Sequence, residues 1–410
     1  MSKTSDIVLV NLSGADKPGV TSSITAIFAE YEVNILDIGQ AVIHDALSLG
    51  FLIEIPPAAE TSPILKDVVF RAHELGLKIN FEPISRADYA HWVSLQGKQR
   101  FVVTLLGRKL TARHFAAVTE AVRTQGLNID SITRLSGRIP LDNGDNAPTR
   151  ACVELTVRGR PRETDAFKSE LMGIARSLGV DIAVQADDIY RRNRRLVCFD
   201  MDSTLIQAEV IDLLAEAAGV GEQVKHITEE AMSGRLDFSE SLKRRLALLE
   251  GLDESKMRDI AESLPLTEGA ERLLTTLRTL GYKTAILSGG FTYFGKALQR
   301  KLGIDYVQAN ELEIVDGKLT GRHVGAIVDG QKKAELLQFI ARQEGIELAQ
   351  TIAIGDGAND LPMLKLAGLG IAFHAKPVVQ ANANHAISTI GLDGVLYFMG
   401  LRDRELSTVA

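Results

Sequence analysis

The segment Leu196-Val197-Cys198-Phe199-Asp200-Met201-Asp202-Ser203-Thr204-Leu205 constrains this chain more than any other. Four apolar residues of strand character run straight into two aspartates at i and i+2. A buried strand that ends in two acids puts charge at a mouth rather than in a core, because an unpaired buried carboxylate is costly. Charge at such a mouth serves a metal, a proton or a nucleophile. Taken alone, the segment reads equally well as a strand followed by an Asp/Ser/Thr turn, so its surroundings decide.

From Arg194 onward, strands alternate with longer helical patterns, which predicts a parallel sheet with crossover helices. Strands are expected at 196–199, 283–287, 306–309, 351–354 and 370–373. The stretch 209–265 is rich in helix formers and poor in strand character, and reads as an inserted helical subdomain. In an open parallel sheet, ligands bind outside the carboxyl ends of the strands. Three strand ends then converge: the Asp200/Asp202 pair, the turn Ser288-Gly289-Gly290, and the loop Gly355-Asp356-Gly357-Ala358-Asn359-Asp360. Lys333 can start a helix beside them.

The first half repeats one plan twice. Residues 6–87 and 101–185 each read β-α-β-β-α-β, the split ferredoxin-like order. A stretch rich in Pro, Gly, Asn and Asp between Gly137 and Thr149 reads as a long loop inside the second copy. The expected domains are therefore 1–90, 98–187 and 194–410, in line with a length of 410 residues. A net charge of −7 gives no footprint for nucleic acid. The cluster Arg191-Arg192-Asn193-Arg194-Arg195 reads as a solvated linker. Cys152 and Cys198 cannot form a disulfide framework, and no apolar stretch is long enough to span a bilayer. The amino terminus has no signal-peptide core, so a soluble cytoplasmic protein with no membrane partner is expected.

The converging set suits phosphoryl chemistry. Asp200 and Asp356 can share Mg²⁺, a hard ion that takes oxygen ligands and keeps waters. Ser288 and the glycine amides can approach an anion closely, and Lys333 adds a point charge for phosphate. An ionised Asp200 could attack phosphorus to give an acyl phosphate. Asp202 could protonate the leaving oxygen and later activate water.

Residues 196–400 resemble the haloacid dehalogenase superfamily of phosphotransferases. The motif order Asp-x-Asp-x-Thr, Ser-Gly-Gly, Lys, Gly-Asp-Gly-x-Asn-Asp carries the resemblance. It implies a Rossmann-like core with a helical cap at about 209–265. It also implies Asp200 as nucleophile and Asp202 as general acid/base. Mg²⁺ would be held by Asp200, the backbone carbonyl of Asp202, and Asp356, with Asp360 supporting the metal site. Ser288, Gly289, Lys333 and Asn359 would hold the phosphoryl group. Within the cap, Glu209 and the segment 231–246 resemble the branch that hydrolyses O-phospho-L-serine, the last step of serine biosynthesis. By that match Glu209 meets the ammonium, Arg245 clamps the carboxylate, and Met232 and Phe238 close the apolar side. Arg244 beside Arg245 offers the rival register. The same chemistry could instead serve other small phosphates, phosphoproteins or a phosphotransferase acceptor. A non-catalytic amino-acid sensor is the rival from outside enzymology.

The first half resembles a tandem pair of ACT domains, modules that bind amino acids. Asp16-Lys17-Pro18-Gly19-Val20 and Asn34-Ile35 fit the ligand loop and helix end in the first copy. The second copy has Gly107-Arg108-Lys109-Leu110 without Pro-Gly, although Gly107 and Asn128 keep the equivalent places. The resemblance implies L-serine as an effector, with Asp16, Gly19, Asn34, Gly107 and Asn128 near it. It also implies a homodimer or larger symmetric oligomer through these modules.

Overall fold

The computed structural model describes residues 5–57, 59–95, 97, 99–139, 149–232 and 235–406, the side chain of Met232 excepted. The chain folds as two units, Met1–Lys98 and Gln99–Ala410.

The first unit runs β1 (Asp6–Ala15), α1 (Val20–Glu30), β2 (Asn34–Ile43), β3 (Ala46–Ile55), α2 (Thr61–Glu74) and β4 (Lys78–Ile84). The strands form an antiparallel sheet in the order β2-β3-β1-β4. Its core lies on one face of the sheet, where Val10, Phe51 and Ile53 pack against Ile24, Phe28 and Val68 of the two helices. A further helix, α3 (Arg86–Ser94), follows, capped by Ser85 Oγ, which accepts from the Asp88 amide at 3.0 Å. The sequence pattern does not predict it, because none of its residues is buried and no apolar stripe forms.

The second unit opens with the same plan: β5 (Arg100–Gly107), α4 (Ala112–Thr124), β6 (Asn128–Arg134), β7 (Ala151–Arg158), α5 (Thr164–Leu178) and β8 (Asp181–Ala186). The sheet order β6-β7-β5-β8 repeats that of the first copy. Of the predicted long loop, residues 140–148 lie outside the described residues. Here both sheet faces are covered. Val103, Leu105 and Leu155 face α4 and α5. On the other side Leu106, Cys152 and Ala183 join one core with Tyr397 and Phe398 near the carboxyl end.

The rest alternates as the sequence predicts, starting from β9 (Leu196–Phe199). Helices α6 (Val210–Ala218), α7 (Gly221–Met232), α8 (Phe238–Ala247) and α9 (Glu254–Ser263) form the insertion. Then come α10 (Ala270–Thr279), β10 (Lys283–Phe291), α11 (Thr292–Leu302), β11 (Tyr306–Val315), β12 (Lys318–Val324), α12 (Gly330–Gln343) and β13 (Thr351–Gly355). Short elements finish the chain: α13 (Leu361–Leu366), β14 (Leu369–Phe373), α14 (Pro377–Asn382), β15 (His385–Ile387), α15 (Val395–Phe398) and α16 (Asp403–Leu406). The sheet order is β12-β11-β10-β9-β13-β14-β15, parallel except for the β11–β12 hairpin. Alternate residues of β9 serve opposite faces: Val197 and Phe199 enter one core, Leu196 and Cys198 the other. Burying Phe199 alone contributes on the order of 2–3 kcal/mol.

Three expectations change. The strand expected at 283–287 continues as β10 to Phe291, so Ser288-Gly289-Gly290 lies in its irregular end rather than beyond it. The strand expected at 306–309 continues to Val315 and turns back as β12. The basic run is not simply a solvated linker: Arg191 is 1% exposed and Arg194 is 8% exposed. Arg191 pairs with Glu154 of β7, and Arg194 donates to the Ala349 carbonyl.

Candidate active site

Sheet register sets the site. Phe199 pairs with Ile286 on one side and Ile354 on the other. One residue beyond Phe199 is Asp200, and two beyond its neighbours are Ser288 and Asp356. β10 runs on to Phe291, but its pairing with β9 ends at Ile286 and its pairing with β11 shifts between Leu287 and Phe291, so the three residues stand level where the regular sheet ends. β9 lies in the middle, and its turn is therefore flanked by both other loops.

The turn after β9 is tight. The Asp200 carboxylate accepts from the Met201 amide at 2.7 Å, and the Asp200 amide donates to the Ile354 carbonyl at 2.8 Å. Ser203 takes a left-handed φ of 54°, which folds the chain back so that its amide meets the Ala208 carbonyl at 3.2 Å. Asp202 Oδ1 accepts from the Val210 amide at the start of α6 at 3.0 Å. Asp202 Oδ2 lies against Gly290, where any Cβ would overlap it.

Lys333 enters from the first turn of α12, whose cap is Asp329 accepting from the Lys332 amide at 2.8 Å. Its ammonium is fully buried, 2.9 Å from Asp200 Oδ2 and 2.7 Å from Asp360 Oδ1. Burial opposes that charge, but Asp200 and Asp360 more than offset it, and the lysine pKa is raised. The acids feel the reverse. Burial, then Asp200 and Asp360, push Asp356 up to about 7. Burial, then Glu209 and Asp200, push Asp202 well above the ordinary carboxyl range. Carboxylate oxygens of Asp200, Asp356 and Asp360 lie within 4.8 Å of one another. One ammonium does not neutralise this all-oxygen set, and a hard divalent cation fits it. Asp202 contributes no carboxylate to the cluster.

Ser288 is 1% exposed, with its Oγ accepting from the Gly290 amide at 2.9 Å. Gly357 donates to Asp360 Oδ2 at 3.0 Å, and Gly330 packs on the backbone of half-buried Asn359. Thr204 escapes sequence reasoning: fully buried, its hydroxyl donates to Asp356 Oδ1 at 3.3 Å and ties the first and last loops together. The Thr of Asp-x-Asp-x-Thr was its available signal.

The cap covers this mouth. The Phe238 ring lies over Gly289, with its Cζ 2.8 Å from where a glycine Cβ would stand. Glu209 accepts from Ser203 Oγ at 2.7 Å. Of the two arginine registers, Arg244 faces solvent and pairs with Glu240 at 2.8 Å. Arg245 is half-buried, lowered in pKa by burial and held up by Asp212, Glu209 and Asp202. The Met232 side chain lies outside the described atoms. The cap returns to the core beside this turn, where Ile206 pairs with Leu266 and the Thr267 amide meets the Leu205 carbonyl at 3.0 Å. Glu268, next along, is gripped by Arg108 through two bonds of 2.8 and 2.5 Å.

The expected effector residues separate. In the first copy Gly19 precedes α1 with φ 91° and no side-chain cap, and Asp16 is exposed near it in sequence. Asn34 donates to Glu54 Oε2 at 3.2 Å on β3. In the second copy Gly107 is buried, Asn128 donates to Asp130 Oδ1 at 3.1 Å, and the loop's Arg108 is already engaged.

Family models match this chain as a haloacid dehalogenase-like hydrolase over residues 197–365 and as an ACT domain over 6–82 and again over 100–185. Fold and site thus define a haloacid dehalogenase-type hydrolase carrying two ACT domains. The chain is 44% identical over 407 residues to a phosphoserine phosphatase of Streptomyces coelicolor, covering 99% of this chain and 95% of that one. It is 41% identical to a phosphoserine phosphatase of Mycobacterium tuberculosis, covering 97% and 94%. A solved structure described as a probable phosphoserine phosphatase from Vibrio cholerae superposes with a TM-score of 0.58 at 37% identity, covering 75% of this chain and 87% of that one. The chain belongs to the phosphoserine phosphatase family and is a phosphoric monoester hydrolase. Among the described residues, no helix is long and apolar enough to cross a membrane.

Proposed function

We propose that the chain hydrolyses O-phospho-L-serine to L-serine and phosphate, with Mg²⁺, through an aspartyl phosphate at Asp200. The observation that carries this is the buried Lys333 ammonium between Asp200 and Asp360, level with the Ser288 turn. Ser288, Gly289, Lys333 and Asn359 take the phosphoryl oxygens. A carboxylate oxygen of Asp200 bonds to phosphorus as the bond from phosphorus to the serine oxygen breaks. Asp202 gives that oxygen its proton. The raised pKa of Asp202 suits it to carry one, and Oδ2 is the free oxygen because Oδ1 is held by Val210. In the second step Asp202 takes a proton from water, whose oxygen attacks phosphorus and frees Asp200 and phosphate. Asp200, Asp356 and the Asp202 carbonyl would hold the Mg²⁺, supported by Asp360; bound there, it supplies charge to offset the crowded phosphoryl and carboxylate oxygens.

Glu209 and Arg245 read the serine ammonium and carboxylate, while Phe238 and Met232 close the apolar side. L-serine acts as an effector at the first ACT domain, where the uncapped start of α1 leaves amides for a carboxylate. A symmetric oligomer through these modules belongs to the same reading, supported by Ile38 and Ile43 exposed on the edge strand β2. Steady-state kinetics with Mg²⁺ test the substrate. Arg245→Ala should raise KM for phosphoserine by about tenfold or more, the loss of a charged hydrogen bond. Turnover of p-nitrophenyl phosphate should survive. Equal losses on both compounds would reject the serine assignment.

A further inference from the structure

We propose that Asn310 is a positioning residue of the phosphoryl site: its side-chain amide locks the Ser288-Gly289-Gly290 turn to the chain entering the Lys333 helix. This rests on reading those two segments as the phosphate-binding side.

Asn310 is 2% exposed and lies on β11, opposite Phe291, just past the irregularity where β10 and β11 shift register. Both ends of its amide are used. Nδ2 donates to the Gly289 carbonyl at 2.8 Å, and Oδ1 accepts from the Val328 amide at 2.8 Å. The residue is itself held from the other side, because Thr292 Oγ1 donates to the Ala309 and Asn310 carbonyls at 3.0 and 3.2 Å. Asn310 does not touch the phosphoryl group; it acts through two others.

The first is Ser288. A peptide unit is planar, with its C=O and N–H on opposite sides. Fixing the Gly289 carbonyl on Asn310 therefore turns the Gly290 N–H the other way, onto Ser288 Oγ at 2.9 Å. A hydroxyl that accepts there keeps its own proton for an anion. The second is Lys333. Val328 immediately precedes Asp329, the cap of α12, so holding its amide sets where that helix starts and where the ammonium arrives. Asparagine has one donor and one acceptor on a single short arm. Aspartate keeps the acceptor and loses the donor.

Asn310→Asp thus severs one arm: Val328 keeps its partner, while an oxygen now faces the Gly289 carbonyl. The measurements are the competitive inhibition constant of inorganic phosphate, KM and kcat for phosphoserine and p-nitrophenyl phosphate, and the unfolding midpoint. Phosphate inhibition should weaken about tenfold, the size of one such bond. KM should rise by a similar factor for both substrates, because both share the phosphoryl group. A merely structural role would lower kcat or the midpoint and leave the phosphate constant unmoved, and that result overturns the proposal. Should Asn310→Asp fail to fold, Asn310→Ser is measured identically and judged by the same constant. Wild-type enzyme that turns over p-nitrophenyl phosphate but not phosphoserine would defeat the substrate reading, while the phosphate constant of the variant still decides Asn310. If phosphate does not inhibit the wild-type enzyme, the KM shift shared by the two substrates decides Asn310, and KM values unmoved in the variant overturn the proposal.

Discussion

At Lys333 two opposed costs meet on one side chain. Removing an ammonium from water costs several kcal/mol, and two carboxylates within 3 Å return more than that, as its raised pKa records. The same acids repel one another, which is why the loop that carries Asp356 and Asp360 is a receptor for positive charge. Asp200→Asn removes the proposed nucleophile without changing its size. Turnover of every phosphomonoester should fall by about 10³-fold or more while the circular dichroism spectrum stays unchanged. Gly290→Ala adds one methyl against Asp202 Oδ2. Displacing the proton donor by a fraction of an ångström should lower kcat about 10²-fold, read by the same assay.

Elements differ in how plainly the sequence announces them. The β9 turn, the Ser288 turn and the Asp356 loop were legible because each follows an apolar run, and strand register then brings them level. The hairpin partner β12 was not, since β11 and β12 are half-exposed and alternate with charges. Its signal was Asp316-Gly317, both with positive φ, the two-residue turn that joins antiparallel strands. Helix α3 had one too, in Ser85 followed three residues later by Asp88. Arg191 and Asn310 could not be read: each is explained by a partner elsewhere in the chain, Glu154 for the first and Gly289 for the second. On β15, His385 is half-buried with one ring nitrogen 3.0 Å from the Val184 carbonyl and the other 3.3 Å from that of Gly370. Burial lowers its pKa from 6.5. A lowered histidine stays neutral in the fold while the unfolded chain takes up a proton, so its stability contribution is complete above about 6.5 and is lost as pH falls towards the folded pKa. Unfolding midpoints measured from pH 7.5 to 5.5 should decline more steeply for the natural chain than for His385→Gln.

Across the second unit, the ACT domain at 100–185 and the hydrolase share one apolar core. Polar pins reinforce it. Asp181 accepts from the Ser388 and Thr389 amides at 2.8 and 3.0 Å, and Gln185 donates to the Phe398 carbonyl at 2.9 Å. A chain shortened to start at Gln99 keeps all of this, and should hydrolyse phosphoserine at the full rate while losing inhibition by serine acting away from the catalytic mouth. A chain starting at Tyr190 exposes Tyr397 and Phe398 and strips the Ser388, Thr389 and Asp403 amides and the Phe398 carbonyl of their partners, each at about 1–3 kcal/mol. Its unfolding midpoint should drop by many degrees or it should aggregate, as scanning calorimetry and light scattering would report.

Two copies of one plan have taken different occupations in a single polypeptide. The earlier copy leaves the head of its first helix open. The later copy has filled the corresponding bend with an arginine that braces the lid's return path at Glu268. On this reading, counting ACT domains overstates the regulatory capacity: calorimetric titration of serine into the Arg245→Ala chain, whose catalytic mouth has lost its carboxylate clamp, should find one occupant per chain rather than two.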